Sequence, residues 1–177
     1  SHRIKNIFAI ISGLVSLTAR AHGDPVYAAI LATATNQDGH TPGISQPNQA
    51  SQQAMLESVY ARPNMAGKKV FFVEAHGTGT RAGDPIECRA LGKVLNQRQN
   101  AACHIGSVKS NVGHLEAASG MAGLIKLALS MDRSVIPANL HFNTPNPDID
   151  FEALNLKPVT EELAWPAHKE EFLGGIN

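Results

Sequence analysis

KVFFVEAHGTGTRAGDPIE, residues Lys69 to Glu87, is the stretch whose reading decides the fold. It opens with Val70-Phe71-Phe72-Val73, a short apolar run rich in aromatic and β-branched side chains, which reads as a buried strand. His76 stands just past the run, and Gly77-Thr78-Gly79-Thr80 follows as a tight turn. Asp84-Pro85-Ile86-Glu87 then reads as a helix start, with Asp84 as N-cap, Pro85 at N1 and Glu87 at N3. Ile86, Ala90, Leu91, Val94 and Leu95 recur at helical spacing and give that helix a core face. Strand, exposed histidine, turn and helix together present one side chain to a pocket. Taken alone, the stretch fits an ordinary βα connection with an incidental histidine equally well.

A second stretch repeats the pattern. Ile105-Gly106-Ser107-Val108 reads as a short strand, and Lys109-Ser110-Asn111-Val112-Gly113-His114 as a polar loop. Leu115 to Met131 is rich in strong helix formers, which sets His114 at a helix N-terminus. Two histidines at two strand-to-helix junctions point to one end of one sheet, where ligands bind in α/β folds. Competing chemistries fit less well. His76, His104 and His114 fall at no metal-ligand spacing, and neither cysteine forms a CxxC or CxxH pair. Gly77-Thr78-Gly79-Thr80 lacks the GK[ST] ending of a phosphate-binding loop.

Glu74-Ala75-His76-Gly77-Thr78-Gly79-Thr80 with Gly83-Asp84-Pro85-Ile86-Glu87 resembles the first histidine motif of β-ketoacyl synthases. The run from Ser107 through Lys109 and His114 to Gly120 is similar to their lysine and second histidine motif. Asn36-Gln37-Asp38-Gly39 and Thr41-Pro42-Gly43 resemble type I polyketide synthases, fungal ones in particular. The likeness extends from about Gly23 to Pro166 in the expected order. It implies the carboxyl-terminal half of a thiolase-like α/β fold.

The resemblance also implies a reaction, a decarboxylative Claisen condensation in polyketide or fatty acid biosynthesis. An acyl thioester on a cysteine is joined to a malonyl-type unit borne on the phosphopantetheine arm of an acyl carrier protein. By motif, His76 and His114 donate hydrogen bonds to the enolate oxygen that forms when carbon dioxide leaves. Lys109 pairs with Glu87 and organises the site, although the helix-start reading gives Glu87 a capping role instead. Thr78 and Thr80 contact the pantetheine arm, or serve the turn alone. No cofactor is bound directly and no metal is implied. The complete enzyme is expected to be a cytoplasmic homodimer.

The rest of the chain agrees with a globular enzyme domain. Of 177 residues 43% are apolar and 17% charged, a globular composition. Fifteen basic residues balance fifteen acidic ones, so nothing favours nucleic acid or an anionic membrane as partner. Cys88 and Cys103 make no disulfide framework and suit a reducing compartment. Val26 to Thr35 reads as a buried strand, Asn48 to Ala61 as a helix with Ala50, Met55, Leu56 and Val59 inward, and Leu154 to Val159 as a further strand. Ile7 to Val15, behind Arg3 and Lys5, has some signal-peptide features but is far too short to span a bilayer. It reads as an altered core strand, followed by a helix from about Ser16 into the Gly23-Asp24-Pro25 turn.

Three segments follow: a divergent one at 1–22, the ketosynthase half at 23–166, and a remnant of the family's glycine-rich active-site loop at 167–177. In that remnant Leu173 replaces a gating phenylalanine and Ile176 a threonine, and a closing strand is expected to be missing. The family's acyl-bearing cysteine sits at a helix N-terminus in the preceding half, a setting that neither Cys88 nor Cys103 has. The chain is therefore expected to need that half as partner and to be inactive alone. The alternative is a catalytically inactive truncated remnant or interaction module.

Overall fold

The apolar run around Phe72 forms β3 (Lys69–Glu74), a central strand of a six-stranded sheet. The computed structural model describes residues 5–12 as backbone, and 26–41, 43, 46–167 and 172–177 in full. In chain order, β1 (Lys5–Ser12), β2 (Ala29–Gln37) and helix α1 (Gln49–Tyr60) precede β3. Helix α2 (Gly83–Asn96), β4 (Cys103–Gly106), the single-turn α3 (Lys109–Val112) and α4 (Ser119–Arg133) follow it. Last come β5 (Val135–Ile136), β6 (Leu156–Pro158), β7 (Leu163–Ala164) and β8 (Phe172–Ile176). The sheet order is β2-β1-β8-β3-β4-β6, while β5 and β7 pair separately. β8, β3, β4 and β6 are parallel, and β1 runs against both of its neighbours.

Each face of the sheet carries its own core, which accounts for the continuous apolar run in β3. On one face Val70 and Val73 join Met55, Leu56 and Val59 of α1 with Leu91, Val94 and Leu95 of α2. On the other, Phe72 packs with Leu127 and Met131 of α4, Ile136, Trp165 and Ile176. α1 starts where expected, because Asn48 accepts hydrogen bonds from the Ala50 and Ser51 amides at 3.0 and 3.2 Å. Asp38 of the Asn36-to-Gly39 loop in turn accepts from the Asn48 amide at 3.1 Å, so that loop supports the helix cap.

Two expectations fail on backbone geometry. Helix α4 begins at Ser119 and not near His114, since Gly113 at φ +73° and Glu116 at φ +50° are incompatible with a continuing α-helix. A short 3₁₀ turn over Glu116–Ala118 fills the gap. Residues Phe172–Ile176, expected as a loop remnant, form β8, inserted between β1 and β3. Gly174 allows this: a Cβ there would lie 2.7 Å from Leu127 Cδ1, so only a bare backbone lets α4 pack on the strand at that point. The expected strand within Ile7 to Val15 corresponds to β1 for residues 5–12. The helix from Ser16, the Gly23-Asp24-Pro25 turn and the boundary at residue 22 lie outside the described residues.

Candidate active site

β8, β3 and β4 finish side by side, and their C-terminal ends build the site. The Ala75 amide donates to the Gly106 carbonyl at 2.7 Å, and the Asn177 amide to the Glu74 carbonyl at 3.0 Å. The histidine turn leaves β3 and the lysine loop leaves β4 from this common edge. Their imidazoles meet: the rings of His76 and His114 lie 5.3 Å apart, edge to face at 90°. Both residues are exposed. Desolvation by the surrounding loops pushes the His76 pKa below its usual value, Lys109 and His114 add to this, and Asp84 opposes it. A lowered value keeps the ring neutral near pH 7, so one nitrogen donates while the other accepts.

Glu87 takes a role that neither sequence reading had. Its carboxylate reaches back under the turn and accepts from the His76 amide at 2.8 Å and the Gly77 amide at 3.0 Å. Asn177 Nδ2 donates to the same group at 2.5 Å. Glu87 is buried and has no capping bond within α2. Asp84, expected as N-cap, is the second helical residue and accepts from the Gly79 amide at 3.1 Å. The turn folds back over the helix start, so its own free amides claim both carboxylates before the helix can. The N-cap position falls to Ala82, which has no capping side chain, and the Thr80 hydroxyl accepts from the Gly83 amide at 3.1 Å just ahead of the helix.

Lys109 opens α3 but does not pair with Glu87. Among the described residues the ion pairs are Arg81 with Asp148 and Lys126 with Glu74. Burial lowers the Lys109 pKa, and the charges of Glu87, Glu74 and Asp84 draw it back up. The ammonium therefore stands in the field of three carboxylates without being bound to one. Between the two loops lies a cavity of about 370 Å³. Thr78, Lys109, His114 and Asn139 line it beside the apolar Ile149 and Phe151; His76 and Thr80 do not. Both thiols are unreactive by setting, since burial pushes Cys88 up to about 12 and raises Cys103 further. Among the described residues no group of three or more His, Cys, Asp or Glu is placed to hold a metal.

Three residues at the site escaped the sequence reading. Glu74, at the end of β3, is buried, pairs with Lys126 of α4 at 2.8 Å and accepts a hydrogen bond from the Val108 amide. Asn139 holds the lysine loop from the other side, accepting from the Ser107 amide at 3.0 Å. The carboxylate–lysine pair is separated along the chain and has no periodic signature. Glu74 stands in the first histidine motif, which gives it no partner by itself.

Two imidazoles, a lysine and a cavity thus meet at the C-terminal end of parallel strands in a mixed α/β sheet. Residues 27–143 match the family model described as "Beta-ketoacyl synthase, C-terminal domain", and the chain belongs to that family. It is 48% identical over 161 residues to a subunit of the phenolphthiocerol/phthiocerol polyketide synthase of Mycobacterium tuberculosis (strain CDC 1551 / Oshkosh), covering 90% of this chain and 9% of that protein. It is 47% identical over 148 residues to a highly reducing polyketide synthase of Eupenicillium brefeldianum, covering 82% and 6%. Among solved structures, a mutant form of the ketosynthase from module 6 of the bacillaene synthase from Bacillus subtilis 168 superposes with a TM-score of 0.80 at 39% identity. That match covers 85% of this chain and 27% of that one. The chain is thus a carboxyl-terminal ketosynthase segment of type I polyketide synthase kind, thiolase-like in fold, with bacterial as well as fungal relatives. No described helix is long and apolar enough to cross a membrane.

Proposed function

We propose that the chain supplies the enolate-stabilising half of a cytoplasmic, homodimeric β-ketoacyl synthase serving polyketide biosynthesis. The observation that carries this reading is the approach of His76 and His114 across two adjacent strand ends. In the reaction an acyl group waits as a thioester on a cysteine in the preceding half, since Cys88 and Cys103 are buried thiols. A malonyl thioester then enters on the phosphopantetheine arm of an acyl carrier protein. The bond to the carboxylate breaks, carbon dioxide leaves, and the electron pair forms an enolate. The two imidazole N–H groups donate to its oxygen as charge develops there, worth ~2.7–4 kcal/mol for a donor of this kind. The enolate carbon attacks the acyl carbonyl, and the cysteine leaves as thiolate.

Lys109 adds positive potential at the cavity wall. Thr78, which lines the cavity, is the better candidate for the pantetheine arm; the hydroxyl of Thr80 is engaged with Gly83. The test joins this chain to a cysteine-bearing half and follows radiolabelled acyl loading beside carbon dioxide release. His76→Ala should leave loading intact and lower release by ~10²–10³. Loss of loading with release spared would assign His76 to a different step.

A further inference from the structure

Resting on that reading, we propose that Glu74 and Lys126 are positioning residues, whose buried ion pair anchors the Val108 amide and so sets the lysine loop opposite His76. Glu74 is 2% exposed and Lys126 12%, yet their charged atoms lie 2.8 Å apart. An ion pair so deeply buried recovers its desolvation cost only with good geometry and further hydrogen bonds. Glu74 has one. Its Oε1 accepts from Val108, the residue that enters α3, while Oε2 takes Lys126.

The placement links three elements that otherwise touch the site separately. Glu74 ends β3, two residues before His76. Val108 opens the loop that carries Lys109 and His114. Lys126 sits in α4, which comes close to Glu74 because a Cβ on Gly123 would lie 3.0 Å from Glu74 Cγ. The ammonium of Lys126 also stands 5.4 Å from the centre of the Phe72 ring, which holds it from the strand side. Lys126 thus reaches the loop through Glu74. A carboxylate fixed on one oxygen by a lysine offers the other to the Val108 amide in one orientation, and a charge-assisted bond of this kind is stronger than a neutral one.

The experiment uses the 177-residue chain and needs no activity. Hydrogen exchange of peptides over 107–114 is read by mass spectrometry, beside acylation of Lys109 and ethoxyformylation of His114. Glu74→Gln strands the Lys126 ammonium and Lys126→Met strands the carboxylate. Each leaves one buried charge without its partner, and the side chain at 74 turns away from Val108 to solvate that charge or be solvated itself. Each should therefore raise loop exchange about ten- to a hundredfold as the charge-assisted bond is lost. It should also raise labelling at both side chains. The double change Glu74→Gln with Lys126→Met leaves no charge unpaired and keeps an acceptor for Val108, so protection should return to within about threefold of the parent. Singles that leave the loop unmoved, or a double as open as the singles, would overturn the inference.

If either single unfolds, Val108→Pro decides. Its φ of −62° suits a proline ring, and the change removes the donor while leaving the Glu74–Lys126 pair intact. The loop should open while β3, β4 and α4 stay protected; a loop that stays closed would overturn the proposal. In the protein joined to its cysteine-bearing half, carbon dioxide release should follow the labelling. Loop opening with release unchanged would leave the anchoring role intact and count against the enolate-stabilising reading instead.

Discussion

His76 is held by its backbone and tuned by its surroundings. Glu87 fixes the amides of His76 and Gly77, so the imidazole leaves β3 in a set direction. Gly77 makes that turn possible with φ +46°, where an added Cβ would also lie 2.9 Å from Ser107 Cβ. The lowered His76 pKa has a consequence for stability. Between that value and the ~6.5 of free histidine, the unfolded chain binds more protons than the folded one. Stability from this residue is therefore fully present above about 6.5 and is lost as pH falls through the window. Urea midpoints taken above and below that window should fall on acidification, and His76→Asn should make the fall shallower. An equal fall in parent and variant would mean that desolvation of His76 is not felt by the fold.

At the scale of elements, the packing of α4 on the sheet depends on Gly174, which faces it. Gly174→Ala should overpack the contact, since its Cβ would lie 2.7 to 2.8 Å from both Leu127 methyls and 2.8 Å from Met131 Cε. Leu127 and Met131 are buried and have little room to yield. A cost of about 1–3 kcal/mol in chemical unfolding is expected, reduced when Leu127 is shortened to Ala in the same chain. No cost would mean that β8 and α4 separate more easily than the structure indicates.

The same contact shows why some elements were legible and others were not. β3, α1 and α2 follow from local apolar runs and spacing, and Asn48 marks its helix start plainly. The histidine motifs named the family because their chemistry is compressed into short loops. β8 was hidden because Gly174 and Gly175 look like loop residues until α4 needs a surface without side chains. The start of α4 was hidden by the left-handed backbone at Glu116, an unfavoured conformation for that residue type. The Glu74–Lys126 pair is a tertiary contact, and Glu87 was misread because its amide partners lie behind it in the chain.

For the whole molecule, the open side of α4 is telling. Met121, Ile125 and Leu129, four residues apart on one stripe, are 58%, 53% and 40% exposed. Val112 and Leu115, on either side of His114 in the chain, are exposed as well. Monomers rarely leave such patches uncovered. The chain spans 27% of the matched ketosynthase, and the remainder of such a domain is the expected cover for this face. Alone, the chain should self-associate at micromolar concentration in light scattering, and Ile125→Lys should reduce this. A monodisperse parent would argue against the half-domain account.

The central claim is that His76 and His114 donate to one oxygen, and a double-mutant cycle on carbon dioxide release tests it most directly. The measurement uses the chain joined to a cysteine-bearing half, with a malonyl carrier-protein substrate. Each single alanine change should lower release by ~10²–10³. Both together should lower it by clearly less than the product of the two, because donors to a common oxygen act as a unit. Losses that multiply in full would place the two histidines on separate tasks and contradict the account.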